Sequence, residues 1–109
     1  MLDHETLASI ATQMMRDARV EVQGKSIPVR RTSRQRLRTV TFRMGSGREY
    51  TAVEQNAEKP SHWGQLAREG HQVVQFKDDQ TGRFVAVVVD GKVVEYGGTS
   101  DGGSSTDQS

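Results

Sequence analysis

The stretch "HQVVQFKDDQTGRFVAVVVDGKVVEYG", residues 71–97, decides the fold. Asp90-Gly91 is a dipeptide suited to a type I′ turn, in which both central residues need positive φ. A two-residue loop there sets Val88 opposite Val93 and Val87 opposite Val94. The loop "DDQTG", 78–82, sets Phe76 opposite Phe84 and Val74 opposite Ala86. Three antiparallel strands in a meander follow. One face then holds Val74, Phe76, Phe84, Ala86, Val88 and Val93, and the other holds Val73, Val85, Val87, Val89, Val94 and Tyr96. An antiparallel sheet with one wet face alternates polar and apolar residues, so this one is expected to be covered on both sides or curled into a barrel.

Two helical segments are available as covers. In "DHETLASIATQMMRDAR", 3–19, Leu7, Ile10, Ala11, Met14 and Ala18 recur at helical spacing and form one apolar stripe. Asp3 is the expected N-cap, with Leu2 and Leu7 placed as a hydrophobic staple. Arg16 and Arg19 suit the negative end of the helix dipole. The second helix lies in "KPSHWGQLAREG", 59–70, capped by Ser61 and ended by Gly70, with Trp63, Leu66 and Ala67 on its apolar side. Gly64 weakens so short a helix, which points to a close approach by a neighbouring strand.

Between these helices the pattern is of hairpins. Around "MGSGRE" a three-residue loop at Gly45-Ser46-Gly47 pairs Phe42 with Tyr50, Val40 with Ala52, Thr41 with Thr51 and Arg43 with Glu49. A two-residue loop would mix the two faces, so the three-residue register is preferred. In "VEVQGKSIPV", 20–29, a turn at Gly24-Lys25 pairs Val22 with Ile27 and Val20 with Val29, and Pro28 argues for an edge strand. The predicted class is α+β: five to seven short antiparallel strands, with an N-terminal helix and a short inserted helix packed on them. Residues 1–97 form one domain in this reading, with helix 3–19 and sheet core 20–97. The apolar-free stretch 98–109 is expected to be a disordered tail.

Composition narrows the function classes. Hydrophobic residues make up 33% and charged residues 27% of 109, which suits one small folded domain. There is no cysteine, so disulfides, thiolate metal sites and cysteine nucleophiles are excluded. Asp3 and Glu5 stand where a secretory signal carries basic residues, and no run is long enough to span a membrane. A soluble cytoplasmic protein of bacterial style is the expectation. His4, His62 and His71 fall in no metal-ligand spacing, so no metal or cofactor is expected. "GSG" at 45–47 is neither a nucleophile elbow nor a phosphate-binding loop, and Ser61-His62 has nothing to orient it as a catalytic pair. The chain reads as a non-enzyme.

The charge distribution supplies the functional lead. Residues 1–24 carry two basic and four acidic residues, a balance of −2. Residues 25–48 carry eight basic and no acidic residues, and residues 49–109 carry five basic and ten acidic ones. The basic set is Lys25, Arg30, Arg31, Arg34, Arg36, Arg38, Arg43 and Arg48. Guanidinium forks suit phosphate oxygens, and Thr32, Ser33 and Gln35 can add neutral contacts. A binding module that presents this set to nucleic acid is the first reading. The second is a protein-interaction or regulatory domain that uses the N-terminal helix, Met15 or the lone Trp63. A solvated basic face that keeps an edge strand from pairing is the plain alternative. What separates the readings is whether the arginines cluster or are paired individually with acids from the C-terminal part.

Overall fold

A computed structural model describes residues 2–97, so the expected tail at 98–109 lies outside the described residues. Helix α1 spans His4–Arg16, and strands β1 (Arg19–Val22) and β2 (Lys25–Pro28) form a hairpin. Strands β3 (Arg30–Arg31), β4 (Arg38–Arg43) and β5 (Glu49–Glu54) follow, and helix α2 (His62–Arg68) is inserted next. The chain then adds β6 (Val73–Asp78), β7 (Arg83–Val89) and β8 (Lys92–Tyr96). Six strands form one antiparallel sheet in the order β3-β4-β5-β6-β7-β8, and β1-β2 form a second, two-stranded sheet. The fold is α+β. Among the described residues it has eight strands, above the expected five to seven, because the two-residue β3 is added at the sheet edge.

Local chemistry explains the first helix. Asp3 accepts a hydrogen bond from the Thr6 amide at 2.9 Å, which satisfies one of the free donors of the first turn. Leu7, Ile10, Ala11 and Met14 are all buried. The helix stops at Arg16, short of the expected end at 19, and Ala18 is exposed. The reason lies in β1. The Gln13 side-chain amide accepts from the Glu21 N–H at 2.9 Å and donates to its carbonyl at 3.3 Å, which ties the strand to the helix. Arg19 therefore belongs to β1 and donates to the Ser26 hydroxyl.

The β1–β2 turn also differs from the expected one. It is centred on Gln23-Gly24, with φ of 50° and 80°, and pairs Val20 with Ile27 and Val22 with Lys25. Positive φ at both central residues is the type I′ geometry, whose twist matches the flanking strands. The register moves by two residues, so Val20 and Val22 keep their buried face. The Val29 N–H donates instead to the Ala18 carbonyl at 2.9 Å.

The β4–β5 hairpin follows the expected register: Phe42 pairs with Tyr50, Val40 with Ala52, Thr41 with Thr51 and Arg43 with Glu49. Gly47 has φ 90°, and the Met44 N–H donates to the Arg48 carbonyl across the loop. In the meander, Asp90 and Gly91 have φ of 52° and 82°, and Val88 faces Val93. Two bulges alter the rest. Phe76 pairs with Ala86 and Val74 with Val88, a two-residue shift, and a bulge then sets Lys77 opposite Phe84. Phe84 leaves the core and is 55% exposed. A second bulge sets Val87 opposite Glu95 and Ala86 opposite Tyr96, so Val94 has no place opposite Val87. Tyr96 thereby joins the face that α1 covers.

The main core lies between α1, the β1–β2 hairpin and one face of the large sheet. Leu7, Ile10, Met14, Val20, Val40, Phe42, Val74, Phe76 and Val88 are fully buried there. The Phe42 ring stacks on Tyr50 and meets Phe76 edge-on. On the opposite face α2 packs against β6, and Val73 and Val87 are buried. Gly64 is needed because a Cβ there would overlap the Lys59 carbonyl oxygen, so the close neighbour is the preceding loop and not a strand. Among the described residues no helix is long and apolar enough to cross a membrane.

Candidate nucleic-acid interface

The eight basic residues of 25–48 fall into three groups. Arg38, Arg43 and Arg48 are paired with acids. Arg38 contacts Glu54 at 3.3 Å, and its own N–H donates to the same carboxylate at 2.9 Å. Arg43 and Glu49 are directly cross-strand and meet at 3.6 Å on an exposed face. Arg48 Nε donates to Asp78 at 2.7 Å, and the Asp78 side chain is only 8% exposed. Burial opposes ionisation of Asp78. The Arg48 hydrogen bond, the Gln80 amide and the Arg48 charge outweigh it and hold the carboxyl below its ordinary value. The same hydrogen bond and charge hold Arg48 more firmly protonated.

Arg30, Arg31, Arg34 and Arg36 form the second group. They lie on β3, the outer strand of the sheet, and on the loop that joins it to β4. All four are exposed, and among the described residues none takes part in an ion pair. The loop is closed by its own hydrogen bonds. The Thr32 N–H donates to the Leu37 carbonyl at 2.9 Å, and the Leu37 N–H donates to the Thr32 hydroxyl at 3.0 Å. Arg31 Nη1 donates to the Arg36 carbonyl at 2.8 Å, and Arg36 itself sits at φ 59°. Strand alternation divides β3: Arg30 pairs with Thr39, and Arg31 with Arg38, so the two point to opposite faces.

Lys25 stands apart. It is exposed at the β1–β2 turn, where Gln23 Oε1 lies 3.9 Å from the Cβ position of Gly45. That turn adjoins the β4–β5 loop, whereas β3 and its loop adjoin the other end of β4. Segment 25–48 is therefore not one face. It is a four-arginine cluster at a sheet edge, three ion-paired arginines and a separate lysine.

The residues assigned to a protein interface are placed differently. The apolar stripe of α1 is used up in the core, and Met15 is half-buried against the same core. Trp63 is half-buried, with the His62 ring 4.9 Å away. His4 meets Tyr96 edge-on at 5.0 Å, and His71 Nδ1 lies 2.6 Å from Asp90. Among the described residues no group of three or more His, Cys, Asp or Glu is placed to hold a metal ion.

Phe84, Val94 and Tyr96, which sequence reasoning placed on covered faces, are exposed, so the sheet is not covered on both sides throughout; Phe84 is the most exposed of the three. Its displacement follows from a contact distant in sequence, which no local pattern signals. Asp78 remains in β6, where Arg48 holds it and it pairs with Arg83, and it accepts the Gln80 N–H at 2.8 Å, so the loop begins one residue later than "DDQTG" implies. No protein-family model matches the chain, nor does any curated protein or solved structure.

Proposed function

We propose that the protein is a small non-enzymatic module that binds nucleic acid through β3 and its following loop, with Arg30, Arg31, Arg34 and Arg36 as the phosphate-contacting residues. What carries the reading is that these four guanidiniums are exposed within seven residues, with no carboxylate paired to any of them among the described residues. Arginine forks donate two parallel hydrogen bonds to phosphate, and a loop closed by its own backbone bonds presents them at little ordering cost. Ser33 and Gln35, exposed on the same loop, supply neutral donors to backbone oxygens. Of the wider basic set, Arg38, Arg43 and Arg48 act on the fold, and Lys25 adds charge at a distance. A cytoplasmic location, in the bacterial style of the chain, belongs to this reading.

The test is an amide-shift titration of labelled protein with oligonucleotides at low and moderate salt. Shifts centred on 30–36 that fade as salt rises are the expected result, because phosphate binding releases counterions. No shifts at low salt would sink the reading. A protein partner is the second reading. Trp63, half-buried beside the exposed His62, favours it, whereas the N-terminal helix has no free apolar stripe.

A further inference from the structure

We infer that the nucleic acid this protein takes is single-stranded, laid across the sheet face opposite α1, with a base stacked on Phe84. The inference rests on the proposed function and names its substrate class. Helix α2 packs against β6 and covers the end of this face where Val73 and Val87 are buried. The other end is open. Pairing places Thr41, Thr51, Lys77 and Phe84 in one row across β4, β5, β6 and β7. The Thr41 and Thr51 hydroxyls lie 3.1 Å apart, and Phe84 ends the row at 55% exposure.

An arginine at the β3 edge and an exposed ring at the other end of the row identify the occupant. Arg30 pairs with Thr39, two residues from Thr41 on the same face of β4, so Arg30 opens onto this face, while Arg31 turns to the other. Lys77 lies in the row directly opposite the ring, whereas Arg83, opposite Asp78, belongs to the other face. From β3 to β7 is four strand spacings, about 19 Å, a path for a few nucleotides. Among the described residues three acids lie on or beside the face: Glu49, Asp79 and Glu95. Glu49 is held by Arg43, and the exposed Glu95 stands opposite Val87 on β8, one strand beyond the ring. Asp79 accepts the Thr51 hydroxyl at 2.9 Å and closes the far side of the row against phosphate. Basic side chains around an exposed aromatic ring on a sheet are what single strands use, because every unpaired base offers a face to stack. A duplex keeps its bases stacked inside and would meet only the arginines.

The experiment measures anisotropy of labelled DNA and RNA homopolymers of about 12 nucleotides, a length within the usual site sizes, and of a matched duplex. Wild-type protein is expected to bind the single strands more tightly than the duplex. Phe84→Ala should weaken single-strand binding on the order of 10- to 100-fold. Its duplex affinity and salt slope should stay unchanged. Phe84→Trp should keep the affinity, and its added emission should be quenched by the oligonucleotide. Preference for one sugar would assign RNA or DNA within the same class. Equal single-strand affinity for wild type and Phe84→Ala, or equal affinity of wild type for single strand and duplex, overturns the inference. Both of those results leave the arginine reading standing. That reading falls separately if replacing Arg30, Arg31, Arg34 and Arg36 by glutamine leaves affinity and salt slope unchanged. If wild type binds neither form at low salt, both fall.

Discussion

The Tyr96 hydroxyl donates to the Leu2 carbonyl at 2.8 Å, joining residues 94 positions apart. The bond ties β8, an outer strand of the large sheet, to the residue before the α1 cap, and the Tyr96 ring also meets His4 edge-on. The bulge that sets Ala86 opposite Tyr96 makes this possible, since it turns the ring toward α1.

Tyr96→Phe removes only that hydroxyl. It should cost about 1 kcal/mol, the net worth of one intramolecular hydrogen bond, and should speed amide exchange in β8 before that in β6. Urea unfolding and hydrogen exchange check this. An unchanged midpoint with unchanged exchange would show that the bond contributes nothing.

Asp78 links stability to pH. Its folded carboxyl lies below the ordinary 3.8, so its stabilising effect is fully present above that value and is lost as pH falls through the folded one. Asp78→Asn should destabilise by about 1–3 kcal/mol at neutral pH, because it weakens a charged hydrogen bond to Arg48 in a nearly buried place. The gap between wild type and variant should close below pH 3.8. A gap constant from neutral to strongly acid pH would rule out this role for the ion pair.

In an open helix, glycine to alanine stabilises by about 1 kcal/mol. At Gly64 the sign should reverse, because a methyl there would overlap the Lys59 carbonyl oxygen. We expect Gly64→Ala to lose about 1–3 kcal/mol, as overpacking does. Thermal unfolding of the variant reads the sign directly, and a stabilised variant would contradict the contact.

Arg36 separates binding from stability. Its φ of 59° is costly for arginine and easier for asparagine. Arg36→Asn should therefore raise the unfolding midpoint while it lowers oligonucleotide affinity and flattens the salt slope. Binding comes from paired titrations and stability from denaturation. Loss of both together would mean that the side chain also supports the loop.

What could be read from the chain alone was local. The Asp3 and Ser61 caps, the Leu7-Ile10-Met14 stripe, the Gly45-Ser46-Gly47 loop and the Asp90-Gly91 turn each depend on a few neighbouring residues. Their hydrogen bonding and φ requirements leave little choice. The inner residues Val40, Phe42, Val74, Phe76, Ala86 and Val88 were legible for the same reason, since a two-residue slip keeps every side chain on its face. The bulges were not legible. A bulge breaks that parity by one residue, and where it falls depends on contacts distant in sequence: Arg48 on Asp78 beside the first, Tyr96 on Leu2 beyond the second. Phe84 is on the surface and Tyr96 against α1 because of them. The arginines divide in the same way. Their number and clustering stand in the sequence, as does Arg43 opposite Glu49 in the hairpin register, but only the tertiary pairing of β4, β5 and β6 brings Glu54 to Arg38 and Asp78 to Arg48. Arg30, Arg31, Arg34 and Arg36 stay exposed because β3 is the outer strand, with no further strand beside it among the described residues to supply a carboxylate.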